Sequence, residues 1–522
     1  MPPHISKKVK VSTYGEEEED KRLHQLGIGR ELRKEFSYFS TLSFAIGVSG
    51  IAATITSTLN TPIVLGGRAV AIWSWFLGSF GCLAIAASVA ELASAYPTAG
   101  GLYTSTAFVV PSRYRASVTF VNAWITLLGQ LSAQASIVFA LSQMIFAAVT
   151  IGTDGRFIAS TGQILGAYTG LTIAIGFMNS MPTRFLHRIA LLYAAGRRDL
   201  ASSKSVWTGI IDNSGWNNSG FAFLLGLLCV QYVMTDYDAV AHISEEVRNA
   251  ALAVPMAIVY GVCATAVLGF FLIVSLCYGI RNLSTLPGPT GLLNCEFYFK
   301  DPLGQSRKER RACPLDNAMP DRRIFSRVWS KTKTPVNAVV LTVVVVALFG
   351  LLSLASLIAI FLSFKINAVF SVSAVALDLS YAIPVVAKVC ITLQKDPEVR
   401  FTPGPFYMGK WSIVVNIYAI VWTCLETGVL IMPQVFPVTA ATMNYASVLG
   451  ELLTLLPFLL LREDATYLIH LSFYYDSDRF NVQHRYYLGP AALAEAANAL
   501  VSDTSSGEEK KEKVQAEVLH VQ

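Results

Sequence analysis

Two carboxylates two residues apart, Asp236 and Asp238, close the run Tyr232-Val233-Met234-Thr235-Asp236-Tyr237-Asp238 inside an apolar stretch. Acids in such surroundings are costly unless paired or wet, so they mark a place where charge is used. They could help bind a cationic amine or carry a coupling proton. The plainer reading is a helix that ends early, with both acids at an interface. A second anomaly is Ala45-Ile46-Gly47-Val48-Ser49-Gly50, followed by Thr54, Thr56, Ser57 and Thr58. Glycines flanking a serine loosen a helix and leave main-chain groups free. Free N–H groups at a half-helix N-terminus suit a carboxylate. The plainer reading here is close packing of helices through small residues.

Other polar groups fall near these two. Glu91 opens the turn Glu91-Leu92-Ala93-Ser94-Ala95-Tyr96-Pro97-Thr98-Ala99-Gly100-Gly101, where Pro and paired Gly demand a sharp bend. It can anchor that turn or join a gate. Glu245 and Glu246, in the polar turn 242–249, read as a surface or gate element rather than a catalytic pair. Lys365, Asp378, Glu426 and Glu451 lie inside apolar runs; each alone carries little, and snorkelling or interhelical pairing is the default. No P-loop, G-x-S-x-G, H-E-x-x-H or G-x-G-x-x-G motif occurs, which argues against an enzyme. Six of the eight cysteines lie in apolar stretches as small hydrophobes, and none has metal-site spacing. No metal or cofactor is expected.

The elements that must position these residues follow from composition. The chain has 522 residues, 53% hydrophobic and 14% charged, against about 25% charged in a soluble domain. A net charge of +5 is too mild to argue for a nucleic-acid partner. A bilayer needs about 20 apolar helical residues per crossing. About ten stretches qualify: 41–65, 70–95, 118–151, 157–181, 219–240, 254–280, 335–359, 363–390, 411–433 and 441–461. The expectation is an all-α, integral multi-pass membrane protein, with the lipid bilayer as partner. The plasma membrane is the first choice, a vacuolar or other internal membrane the second. Residues 1–36 form a polar N-terminal tail, 37–462 the membrane domain and 463–522 a C-terminal tail. The first span serves as an uncleaved insertion signal. Lys and Arg before span one, after spans two, four and ten, and around 388–410 put both termini in the cytosol.

These segments together resemble the fungal amino acid/choline transporter family, within the amino acid–polyamine–organocation superfamily, which includes GABA and choline permeases. The resemblance rests on 36–50, on the 91–103 turn and on Met234 through Glu246. It also rests on Thr334-Pro335-Val336-Asn337-Ala338, on Phe401-Thr402-Pro403-Gly404-Pro405-Phe406 and on Met443-Asn444-Tyr445. It implies a LeuT-type fold of two inverted five-helix repeats, with helices one and six broken around a midplane substrate. Carried over by motif, the substrate positions are Gly47, Val48, Ser49, Gly50, Thr235, Asp236, Tyr237 and Asp238. The implied activity is secondary transport of amino acids or related small amines such as GABA or choline, coupled to H+.

The chain departs from that family in two places. Members have twelve helices. Residues 189–217 and 281–334 stand where helices five and eight should be, and both are too polar to cross. A literal loss of helix five would turn the hairpin of helices six and seven over. The sequons at Asn217 and Asn282 report on this, since glycosylation requires them outside. The alternatives to a working permease are therefore a non-transporting membrane sensor or scaffold on the same fold, or an inactive permease lacking two helices.

Overall fold

The protein is described by a computed structural model covering residues 36–180 (except 99, 154, 155 and 158), 201–280, 336–351, 366–394 and 401–436, with Val438 and Asn444. The expected tails apart from Phe36, and Asn282, Cys295, Cys313, Lys365, Glu451 and nearly all of the tenth span, lie outside the described residues. Those described are helical, with no strand among them beyond a single bridge between Phe36 and Val247. Six helical segments are long and apolar enough to cross a membrane: Tyr38–Gly66, Arg68–Ala95, Ser112–Ala147, Ala250–Tyr278, Val369–Gln394 and Gly409–Ile431. Shorter apolar helices occupy Gly162–Phe177 and Ser219–Met234.

The first span is three pieces: α1 (Tyr38–Ser49), α2 (Ile51–Thr58) and α3 (Asn60–Gly66). Ser37 and Ser40 form a capping box that starts α1, so its first N–H groups are not orphaned. Gly50 ends it at φ 51°, a left-handed conformation that costs an L-residue about 1–2 kcal/mol and glycine almost nothing. Next come α4 (Arg68–Ala95), α5 (Gly101–Val109), α6 (Ser112–Gly152) and α7 (Thr161–Ser180). After a short α8 (Ser203–Trp207), the sixth span is again in pieces. Helices α9 (Ser219–Leu225) and α10 (Leu227–Met234) lead into two 3-10 segments, Tyr237–Ala239 and Ala241–Glu246. Then follow α11 (Ala250–Gly279), α12 (Val336–Leu351), α13 (Ile366–Gln394) and α14 (Ser412–Ile431).

α11 packs along α4 and α1, α13 along α6, α12 along α7, and α14 against α4 and α13. One apolar cluster (Ala140, Leu228, Tyr232, Phe370, Ala374, Leu430) ties α6, α10, α13 and α14 together. Another (Ala135, Val138, Leu165, Tyr168, Val346) joins α6, α7 and α12. Apolar side chains gain nothing by leaving lipid, so close backbone approach matters more than hydrophobicity here. Gly78 and Gly81 let α4 meet Val230 of α10 and the Trp422 indole of α14; a Cβ at either position would collide with those side chains.

Residues 201–217 hold no membrane-crossing helix, in agreement with their polarity. They are nevertheless a built part of the bundle. Ile211 N–H donates to the Gly66 carbonyl (3.0 Å) and Asn213 N–H to that of Leu65 (2.9 Å). Ala201 N–H reaches the Tyr278 carbonyl (2.7 Å), and the buried Arg68 donates to the Ile280 carbonyl (2.6 Å) and to Ser205 Oγ (3.1 Å). Ser214 donates its hydroxyl and amide to Asp212 Oδ1 (2.6 and 3.0 Å), which holds that carboxyl below its usual range. The end of the first span, the start of the second, the lead-in to the sixth and the end of the seventh thus share one end of the bundle.

Of the two arrangements the sequence leaves open, the contacts agree with the one in which the sixth and seventh spans keep their register with the first two. If the tail before Phe36 is cytosolic, as the Lys and Arg distribution requires, the exposed Asn217 faces outside. An Asn217→Cys variant is then expected to react with a membrane-impermeant maleimide added to intact cells, above the background of the unsubstituted chain. Labelling only after permeabilisation would contradict this placement.

Candidate functional site

The two broken helices meet. α1 touches the 3-10 turn Tyr237–Ala239, and α2 and α3 pack on α10. At the first break Gly50 N–H bonds the Gly47 carbonyl (3.2 Å). The Thr54 hydroxyl turns back toward the Ser49 and Gly50 carbonyls (3.1 and 3.0 Å). Ser49 Oγ lies 3.3 Å from the Thr265 hydroxyl of α11. No side chain caps the N-terminus of α2, and the space a Cβ would take at Gly47 is open. Val48 is buried.

The second break is sharper. α10 stops at Met234, Thr235 is extended, and Asp236 takes φ 79°. A left-handed Asp is tolerated better than most residues but still carries strain. The helix does end early, as the plainer reading had it, yet the acids are not at an interface: Asp236 is 8% and Asp238 1% exposed. Gln130 of α6 donates to Asp236 Oδ1 (3.2 Å). Tyr381 of α13 donates to Asp238 Oδ1 (2.9 Å), and His242 Nε2 meets Oδ2 at 2.9 Å. Tyr232 pairs with Ser136 (2.7 Å), which fixes the last turn of α10 against α6. The break is therefore clamped to α6 and α13. The side chains of Tyr237 and Glu245 lie outside the described residues.

At the other end Glu91 is fully buried and forms an ion pair with Lys388 of α13. It also accepts from Ser412 Oγ and Met408 N–H, both at 2.8 Å. The Ser94 hydroxyl donates to the Ala251 carbonyl (2.6 Å) and accepts from Phe406 N–H (2.9 Å). Lys388 Nζ stands 4.8 Å from the centre of the Phe401 ring, a cation–π distance. So the 401–412 loop is latched onto the end of α4. Gly101, at φ 60°, lies against the His242 ring, where a Cβ would come within 2.9 Å of it. The turn after α4 thus bears directly on the partner of Asp238. Glu246 is only half-buried, and its carbonyl accepts from Phe36 N–H (2.9 Å), tying the chain after the second break to the start of α1.

The structure thus brings the helix that ends at the Gly47–Gly50 break into contact with the 3-10 turn that follows Thr235 and Asp236, and places Glu91 apart, at the latch. Sequence reasoning missed Gln130, His242, Tyr381 and Lys388, and it undervalued Asp378 and Glu426, both fully buried. The available signal for Gln130 and for Gln231 was the one used for the acids, a polar group inside an apolar span.

The sequence model of the amino acid permease family matches residues 36–195, 189–295 and 311–454, and the chain belongs to that family. It is an integral multi-pass membrane protein and a transporter of amino acids or amines, not an enzyme. An amino-acid permease of Schizosaccharomyces pombe is 36% identical over 83% of this chain and 85% of its own length. Amino-acid permease 2 of Neurospora crassa is 32% identical, covering 84% and 86%. Amino-acid permease BAT1 of Arabidopsis thaliana is 28% identical, covering 82% and 91%. Among solved structures, the manganese transporter of Eremococcus coleocola is similar at TM-score 0.36 and 12% identity, over 83% of this chain and 96% of that one, a likeness too slight to build on.

Breaking a buried pair by removing one partner leaves an uncompensated charge, at a cost of about 3–5 kcal/mol. Lys388→Met is expected to lower the melting temperature of the detergent-purified protein sharply, and Glu91→Gln added to it to recover most of the loss. Equal melting of Lys388→Met and the parent would show the latch to be energetically idle.

Proposed function

We propose that the chain is a permease that moves an amino acid or a related small amine such as GABA or choline across the plasma membrane by alternating access, coupled to H+. The observation that carries this reading is the meeting of two helix breaks. One offers uncapped N–H groups at the start of α2, and the other two buried carboxylates. A half-helix N-terminus attracts a carboxylate through its free N–H groups and its dipole. Asp236 and Asp238 supply the opposite charge for an amine. An amino acid or GABA would use both halves, and choline only the second. Hydrogen bonds from Gln130, Tyr381 and His242 hold the acids in place before substrate arrives, which lowers the ordering cost of binding.

The Glu91–Lys388 latch supports alternating access. It joins α4, α13 and the 401–412 loop at the end of the bundle opposite Arg68, and a gate on that side has to break such contacts to open. The named relatives' designation as amino-acid permeases favours transport over a sensing role.

The test is uptake of radiolabelled GABA, choline and amino acids by a transport-deficient cell expressing the chain at its surface. Accumulation of at least one is expected. Hydrogen bonds to charged groups contribute about 1.5–3 kcal/mol, so Asp238→Asn should cut uptake efficiency about tenfold to a hundredfold. No uptake of any compound despite surface expression would favour a sensor or scaffold. Unchanged kinetics in Asp238→Asn would remove that residue from the site.

A further inference from the structure

A second pair of acids lies deeper than the first. Asp378 of α13 and Glu426 of α14 are each 0% exposed and stand within hydrogen-bonding and Coulombic reach of one another. Gln231, one turn before the break in α10, joins them to the substrate segment. Its Nε2 donates to Asp378 Oδ2 at 2.8 Å, while its Oε1 faces Trp422 Nε1 (3.4 Å) and Cys82 Sγ (3.2 Å). The indole N–H can only donate, so the amide cannot be turned the other way. Asp378 Oδ2 is therefore an acceptor. The Trp422 indole also lies near Glu426, but no hydrogen bond of ordinary geometry reaches either Glu426 oxygen or Asp378 Oδ1.

Two ionised carboxylates offer each other nothing but acceptors. Side by side and fully buried they would repel with little screening and no solvation. Among the described residues no third His, Cys, Asp or Glu joins the pair to complete a metal site, and Gln231 turns its N–H rather than its oxygen toward Asp378. A single proton does both jobs: it makes one carboxyl a donor to the other and halves the buried charge. The charged and titratable groups facing the pair are consistent with this. They are Asp236 on the unwound segment, Tyr381 one turn along α13, Cys82 of α4 through Gln231, and Asp238 beyond Tyr381. Among the described residues no cation joins them. Lys388, on α13 as well, lies ten residues on and is engaged by Glu91; at 1.5 Å of rise per residue that separation is about 15 Å.

We propose that Asp378 and Glu426 form the proton site of this transporter, holding one H+ between them and exchanging it with water on alternate sides of the membrane as the protein turns over. The proposal deepens the proton-coupled reading above and rests on it. Protonation removes repulsion between Asp378 and Asp236 and lets the 235–238 segment settle against α13. Loss of the proton to the opposite side restores the repulsion and loosens the segment. Thr235, next to Asp378, and Gln231, bonded to it, transmit the change to the break. Linkage makes the effect reciprocal: substrate held at the break alters proton affinity as the proton alters substrate affinity.

The experiment uses the purified full chain in proteoliposomes with an imposed pH gradient and a radiolabelled mixture of amino acids, GABA and choline as probe. Glu426→Gln is expected to abolish gradient-driven accumulation while preserving exchange of internal for external label. Accumulation by Glu426→Gln equal to the parent would overturn the proposal. Infrared difference spectra of the parent minus Asp378→Asn/Glu426→Gln, both at neutral pH without substrate, give an independent reading. A protonated-carboxyl band in the difference supports the site, and its absence refutes it. A parent that moves none of the probes refutes the permease reading, while the infrared difference still decides whether the pair holds a proton.

Discussion

Hydrocarbon offers no hydrogen-bond partner, so a membrane protein can break a helix only where it can satisfy the freed groups itself. The rest of this structure follows from that constraint. The break at Gly50 is served by Thr54, whose hydroxyl covers the Ser49 and Gly50 carbonyls. At Thr235 and Asp236 the main chain serves itself, Thr235 N–H donating to the Gln231 carbonyl (2.9 Å) and Ala239 N–H to that of Asp236 (3.0 Å), while Gln130, Tyr381 and His242, from α6, α13 and the chain just beyond, hold the two carboxylates. The long pairing of α13 with α6 is thus the frame on which the second break hangs. At the start of α2 no side chain caps the N–H groups.

The two ends of the bundle are closed by different means. At the end of α3 a stretch of irregular chain, 201–217, is bonded through its backbone to the first span and to the seventh. At the end of α4 closure is ionic: Glu91 gathers Lys388, Ser412 and Met408. A buried ion pair adds little net stability but punishes any partial opening. The contact of Gly101 with His242 runs from that latch region to Asp238. Motion of the turn after α4 therefore bears on the second break without any long chain of intermediaries.

The breaks were legible in the sequence because each is a local anomaly. Two glycines around a serine, and two acids in an apolar run, announce themselves within a few residues. Their partners were not legible, because those contacts are long-range: Asp236 finds Gln130 106 residues away, Asp238 finds Tyr381 143 away, and Glu91 finds Lys388 297 away. Local pattern cannot rank Asp378 or Glu426 above any stray intramembrane charge, since their significance lies in being adjacent. The polarity of 201–217 correctly excluded a membrane-crossing helix there, but it did not follow that the next hairpin turns over. Hydrogen bonds to Leu65 and Gly66 hold that hairpin in place, and no pattern within 201–217 encodes them.

The central claim is that the two breaks form one substrate site. Ser49→Cys places a thiol at the first break, and its reaction with a small thiol reagent can be followed with and without a saturating concentration of a transported compound, the reactivity of the parent's own cysteines being subtracted. The account predicts that substrate protects the thiol, and that Asp236→Asn added to Ser49→Cys abolishes the protection because the amine half of the site is lost. Labelling of Ser49→Cys at the same rate with and without substrate would contradict it.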